Sequence, residues 1–322
     1  MKLLKDNFCE YLTFFIMVAL CLLLVLGKGY VYAVNNGLLL FTTCVFPSLF
    51  PYLFITAILS KLSITTSLSF KLSPFTKRVF RVNGACAFAY ILGLISGYPI
   101  GAKIVSELHE KGYISQTEAT RCSAFSSTPS PMFLISGVGV IMFNNILVGA
   151  FLFLISLTSS FLMGVIFSFY KRQDNPTKQQ VYMTQQTEFS FYQTVKDCVL
   201  SALTIGGIIT LFSLLSEILL RAKILSPITF LVESYSGSKE LANGFTFGLL
   251  ECTNGLKTLS KIGNSAIPIC AFIVGFGGLS VIAQSMAYLK KAKIKTAVFL
   301  LIKLLTAVIN FILAYVLVPI FF

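Results

Sequence analysis

The residues of this 322-residue chain best suited to chemistry are polar groups set inside apolar runs. Glu251 stands beside Cys252, Thr253 and Asn254. A carboxylate at membrane depth is costly, so it is a candidate for binding a cation, taking a proton or pairing with a substrate amine. The plain alternative is a salt bridge to Lys103 or Lys257. Those two lysines each follow a helix-breaking stretch. Each either meets an anion, helped by the positive end of the restarting helix, or snorkels to an interface. Ser96, Gly97 and Tyr98 at one break, and Ser126, Ser127, Thr128 and Ser130 at another, bring hydroxyls and open backbone together. They serve a polar ligand or the backbone groups that the breaks release. Gln284, like Asn243, Asn264 and Asn310, is either a ligand contact or a hydrogen-bonding bridge between helices. Glu217 precedes Arg221 by one helical turn, the spacing of a local ion pair.

Soluble enzyme chemistry finds no support. There is no Walker A loop, no HExxH and no nucleophile elbow with a partner His, and His109 is the sole histidine. Eight Cys occur without a CxxC pair, so they read as small apolar residues and not as zinc ligands. No catalytic residue, metal or cofactor is expected, and the chain reads as a non-enzyme.

These residues must be positioned by elements that live in lipid. Hydrophobic residues make up 56% of the chain and charged ones 11%, with a mean hydropathy of +0.85. Soluble domains carry about 25% charged residues. The composition therefore predicts an all-α integral membrane protein with about ten membrane-embedded segments. Plain spans are expected at 11–26, 37–59, 146–169, 195–220 and 296–321. With no Trp present, Tyr takes the interfacial aromatic role. The net charge of +13 comes from Lys and Arg in short loops beside apolar runs, which is a topology signal. No loop resembles a nucleic-acid-binding module, so nucleic acid is not an expected partner.

Four further segments are apolar but interrupted: 85–108, 119–143, 241–259 and 267–289. The first breaks at Gly93-Leu94-Ile95-Ser96-Gly97-Tyr98-Pro99-Ile100-Gly101 and the second at Ser126-Ser127-Thr128-Pro129-Ser130-Pro131. Proline removes a donor and clashes with the preceding turn, and unwound backbone at membrane depth survives only inside protein or along a wet cavity. The string from Gly93 to Lys103 matches the one from Gly248 to Lys257 with a one-residue gap. The order span, broken segment, broken segment, span occurs twice. If 85–108 and 241–259 are re-entrant hairpins, the basic loops place the N-terminus in the cytoplasm, the loop 28–36 outside and the C-terminus outside. The halves then run in opposite orientation.

The predicted organisation is an extra N-terminal transmembrane helix over 1–36, a first repeat over 37–170, a cytoplasmic linker over 171–191 and a second, inverted repeat over 192–322. Inverted repeats with broken helices form the midplane sites of many transporters. A multi-pass cell-membrane protein that binds or moves a small polar or anionic solute is the leading expectation, and a non-transporting membrane scaffold is the alternative. The expected partners are the lipid bilayer, such a solute, and a second copy of the chain.

The strings at 93–103 and 126–131, with Glu118-Ala119 and Val45-Phe46-Pro47-Ser48-Leu49-Phe50-Pro51, resemble the nucleoside-recognition (Gate) domain membrane proteins, and among them the sporulation integral membrane proteins. The resemblance runs over most of the chain from residue 37. It implies a role in spore formation, around cortex assembly. One departure is the hydroxyl-rich stretch 126–131, where the family tends to carry Asn.

Overall fold

The structure is a computed structural model and describes residues 28–59, 63–171 and 190–322. The span expected at 11–26 and nearly all of the linker expected at 171–191 lie outside the described residues. Among the described residues the chain is helical, with no strand. Five helices among the described residues are long and apolar enough to cross a bilayer: Gly29–Leu59, Ile146–Phe167, Phe191–Arg221, Asn264–Leu289 and Thr296–Phe321. Their outward faces carry exposed apolar residues such as Leu154, Leu203, Leu211, Leu301 and Ile312, the surface that lipid covers. The molecule is therefore an all-α, multi-pass integral membrane protein.

Helix α1 (Lys28–Leu40) passes through a π-helical turn, Phe41–Val45, into α2 (Phe46–Leu59). The sequence predicts a loop over 28–36, and the structure has helix there instead. Packing overrides local preference: a Cβ on Gly37 would sit 2.8 Å from Thr210 Cα, so α1 lies close along the long helix α8 (Phe191–Arg221). The two run antiparallel, with Arg221 stacked over the Tyr30 ring at 5.4 Å. The π turn lies just ahead of Pro47 and Pro51, which cannot donate to the helical ladder.

Helix α3 (Ser63–Val79) leads to a tight turn and then to α4 (Ala85–Ser96) and α5 (Ile100–Glu110). These last two fold back on each other, because a Cβ on Gly93 would stand 3.2 Å from Gly101 Cα. Helix α6 (Gln116–Ser126) opens with a capping box: Ser115 accepts from Glu118 N, and Glu118 accepts from Ser115 N. After an extended break the chain resumes as a π-helical segment, Phe133–Met142, and then as α7 (Ile146–Phe167), capped by Asn145.

The second half follows the same order. Helix α8 is succeeded by the short α9 (Ser226–Ser236), the hairpin α10 (Lys239–Leu250) and α11 (Cys252–Ser260), the broken pair α12 (Ile267–Phe276) and α13 (Gly278–Leu289), and α14 (Thr296–Phe321). Gly248 and Gly255 touch across this hairpin as Gly93 and Gly101 do across the other. Contacts between the halves are reciprocal. Helix α1 packs on α8 and α7 on α14, while α5 meets α13 and α11 meets the π-helical segment at Phe133–Met142.

A polar clamp closes one end. Arg121, buried on α6, donates to the Arg81 carbonyl at 2.7 Å, to Tyr170 O at 2.8 Å and to Lys171 O at 2.9 Å. Nearby Gln116 donates to Lys293 O at 2.7 Å, tying the start of α6 to the turn before α14.

Candidate functional site

All four interruptions converge. Helix α4 ends at Ser96, whose hydroxyl donates to Thr56 Oγ1 at 2.6 Å on α2. Gly97 follows with φ of 79°, a left-handed conformation that favours glycine. A Cβ there would come within 2.6 Å of Ser130 N, so this tip is pressed against the break after α6. The other hairpin makes the matching contact with the roles exchanged. Gly278, at φ of 75°, sits against the α10–α11 tip, where a Cβ would meet Cys252 N at 3.0 Å. The two tips meet through Tyr98 and Cys252, with the phenol oxygen 3.8 Å from Sγ.

Glu251 is the hinge residue of the second tip and is 1% exposed. Its carboxylate accepts from Thr253 N at 3.0 Å and from Asn254 N at 2.7 Å, capping the start of α11. Neither Lys103 nor Lys257 pairs with it. Among the described residues the carboxylate makes no ion pair, and the expected local pair Arg221–Glu217 is present at 2.6 Å.

The buried cation at this junction is Lys303, 2% exposed in the middle of α14. Its ammonium donates to Ser127 O at 3.1 Å and lies 5.3 Å above the Tyr98 ring. It thereby spans the break after α6 and the α4–α5 tip, beside Gly277 at the break between α12 and α13. Carbonyl and ring together offset part of the ammonium's lost hydration.

Around these tips lies a small cavity of about 40 Å³. Ser96, Gly97, Tyr98, Ser130, Glu251, Thr253 and Gln284 line it, seven of the residues singled out from sequence. Val45, Leu49, Phe133, Ile205 and Ile209 supply an apolar wall. The hydroxyl of Ser280, 1% exposed and on the cavity wall, has no hydrogen-bond partner among the described residues. The buried hydroxyls of Ser126, Ser127 and Thr128 are likewise unmatched. Such groups typically cost about 1–3 kcal/mol each when unsatisfied, so their clustering marks a place suited to polar company.

The remaining expected residues fall elsewhere. Ser126, Ser127 and Thr128 are buried but do not line the cavity. Asn254 turns to α8 and donates to Ser213 Oγ at 2.5 Å. Lys103 is half-buried and Lys257 exposed, and neither reaches the wall. Sequence reasoning passed over Lys303, Cys252 and Ser280 as site residues. A single charge inside the apolar run 296–321 was the available signal for Lys303.

The fold and site define a multi-pass membrane protein whose broken helices surround a partly polar cavity. The chain is similar to the sporulation integral membrane protein YlbJ of Bacillus subtilis (strain 168), with 26% identity over 309 residues, covering 86% of this chain and 74% of that protein. No protein-family model matches the sequence, so the expected Gate-domain membership gains no support, and no solved structure matches.

Proposed function

We propose that this protein binds a small polar solute, neutral or anionic, where its broken helices meet, and passes it across the cell membrane during spore formation. The observation that carries the reading is the cavity itself, with Glu251, Ser130, Ser280 and Gln284 facing one space at the junction of four helix interruptions. With the folded-back hairpins re-entering the bilayer and α6 with Phe133–Met142 crossing it beside the long apolar helices, each half would cross three times, an odd number, which would orient the halves oppositely. The clamp at Arg121 and the tie from Gln116 gather Arg81, Lys171 and Lys293 at one end, in keeping with a cytoplasmic face there and the C-terminus outside. The spore-formation part of the reading follows the similarity to YlbJ.

Complementation of a spore-forming host that lacks its own copy tests the reading. Ser280→Tyr puts a large side chain into the cavity and is expected to abolish spore maturation while the protein still reaches the membrane. Replacing residues 172–189 with a Gly/Ser linker is expected to leave maturation intact. The reverse pattern would favour a membrane scaffold and sink the solute pathway.

A further inference from the structure

We propose that Glu251 is a proton-binding latch: ionised, it holds the α10–α11 tip closed against Gly278, and taking a proton releases that tip into the cavity. The inference builds on the solute-pathway reading, but its test requires no solute.

The geometry comes first. Both carboxylate oxygens are engaged, one by Thr253 N at 3.0 Å and one by Asn254 N at 2.7 Å. These are first-turn N–H groups of α11 that have no partner within the helix. An ionised carboxylate satisfies both and complements the positive helix end. A carboxylic acid has only one good acceptor oxygen, so its hydroxyl oxygen would face an N–H donor poorly. Protonation moves one proton from hydronium to one carboxylate oxygen, forming an O–H bond there as one breaks in the hydronium and leaving water, and it weakens one of the two caps.

The cap bears on a tightly fitted joint. The tip is hemmed in by Gly278, where even a methyl group would stand 3.0 Å from Cys252 N and 3.1 Å from Leu250 O. Loosening the start of α11 therefore shifts the contact with α13, the helix that presents Ser280 and Gln284 to the cavity. The Ser280 hydroxyl, buried and unmatched among the described residues, marks the adjoining wall as a polar surface that water or solute can reach.

Among the described residues the neighbourhood contains no second carboxyl group. The titratable groups facing Glu251 are Tyr98 from the α4–α5 tip, Cys44 from the π-helical turn and Cys252 beside it, with Lys303 on α14 and Lys257 on α11 further out. Glu118, the other buried carboxylate among the described residues, lies in the α6 capping box and holds Asn83 N at 2.8 Å.

The chain contains no Trp, so one introduced indole reports alone. Phe245 on α10 is half-buried, 5.6 Å from the Phe272 ring of α12. In purified Phe245→Trp protein, the emission maximum is expected to move reversibly with pH along a single-proton titration. Adding Glu251→Gln, whose amide also offers one acceptor oxygen, is expected to fix emission at the acid limit. Adding Glu118→Gln is expected to leave the titration in place. An unchanged titration in the Glu251→Gln background, or no shift while the protein stays folded, overturns the latch. Should Glu251→Gln fail to fold, acid-minus-alkaline infrared difference spectra replace it. A carboxylic acid band that moves in Glu251→Asp but not in Glu118→Asp supports the latch, and its absence overturns it. A working latch in a protein whose Ser280→Tyr variant still supports spore maturation would leave proton switching without transport, so the two readings fail separately.

Discussion

Lys303 and Ser127 stand 176 positions apart in the chain and 3.1 Å apart in space, joined by an ammonium-to-carbonyl hydrogen bond that ties α14 to the end of α6. The bond sits where four interruptions crowd together, so it bears on how the whole junction holds its shape.

Truncating this lysine should be costly and reshaping it should not. Lys303→Ala leaves a hole and an unpaired carbonyl and is expected to lower stability by about 2–4 kcal/mol. Lys303→Met keeps the volume and removes a poorly hydrated charge, and is expected to recover at least half of that loss. Thermal melting of detergent-purified variants measures both, and equal losses would show that the charge and not the volume matters.

Tyr98 can be dissected against the same lysine. Tyr98→Phe keeps a ring under the ammonium and is expected to melt within about 0.5 kcal/mol of the parent, whereas Tyr98→Leu should lose about 1–2 kcal/mol. In a Lys303→Met background the gap between the two should shrink to half or less. A gap of unchanged size in that double-mutant comparison would mean the ring acts through packing alone.

The hairpin glycines should be far less tolerant than a glycine on the outer surface. A Cβ on Gly101 would strike the Ser126 carbonyl, and one on Gly255 would strike the Gly248 backbone. Alanine at either position is expected to cost about 3 kcal/mol. Gly207 of α8 has open space around it, so Gly207→Ala should change stability by no more than about 1 kcal/mol, in the stabilising direction. Similar melting temperatures for all three variants would contradict the folded-back geometry.

Arg121 gathers three carbonyls with one planar guanidinium. Lysine carries the charge but cannot reproduce the fork, so Arg121→Lys is expected to destabilise by about 3 kcal/mol. Limited proteolysis near residue 171 should speed up in parallel, since that carbonyl loses its donor.

Much of this arrangement could be read from the chain. Long apolar runs name the spans, and the matched strings Gly93–Gly101 and Gly248–Gly255 point to the two fold-backs, because only glycine lets backbones meet at a crossing. Five of the seven expected lining residues, Ser96, Gly97, Tyr98, Glu251 and Thr253, lie in those two strings. Other features depend on distance in sequence and were hidden. Nothing local says that Lys303 seeks a carbonyl in the other half, or that Ile205 and Val45 share a wall. Helix over 28–36 came from docking on α8, not from local propensity. Lys103 and Lys257, promising by position, do not line the cavity.

The element order of the two halves repeats, but their charge does not. Helix α7, which holds in the first half the place that α14 holds in the second, carries no charged residue between Ile146 and Phe167. Two equal halves would settle with equal ease into either of two mirror-related poses. With one lysine fastening one side only, such poses would differ in energy by the worth of a single buried bond. On the proposed solute pathway, the empty protein would therefore have a preferred resting pose, and leaving it would require undoing one identifiable contact.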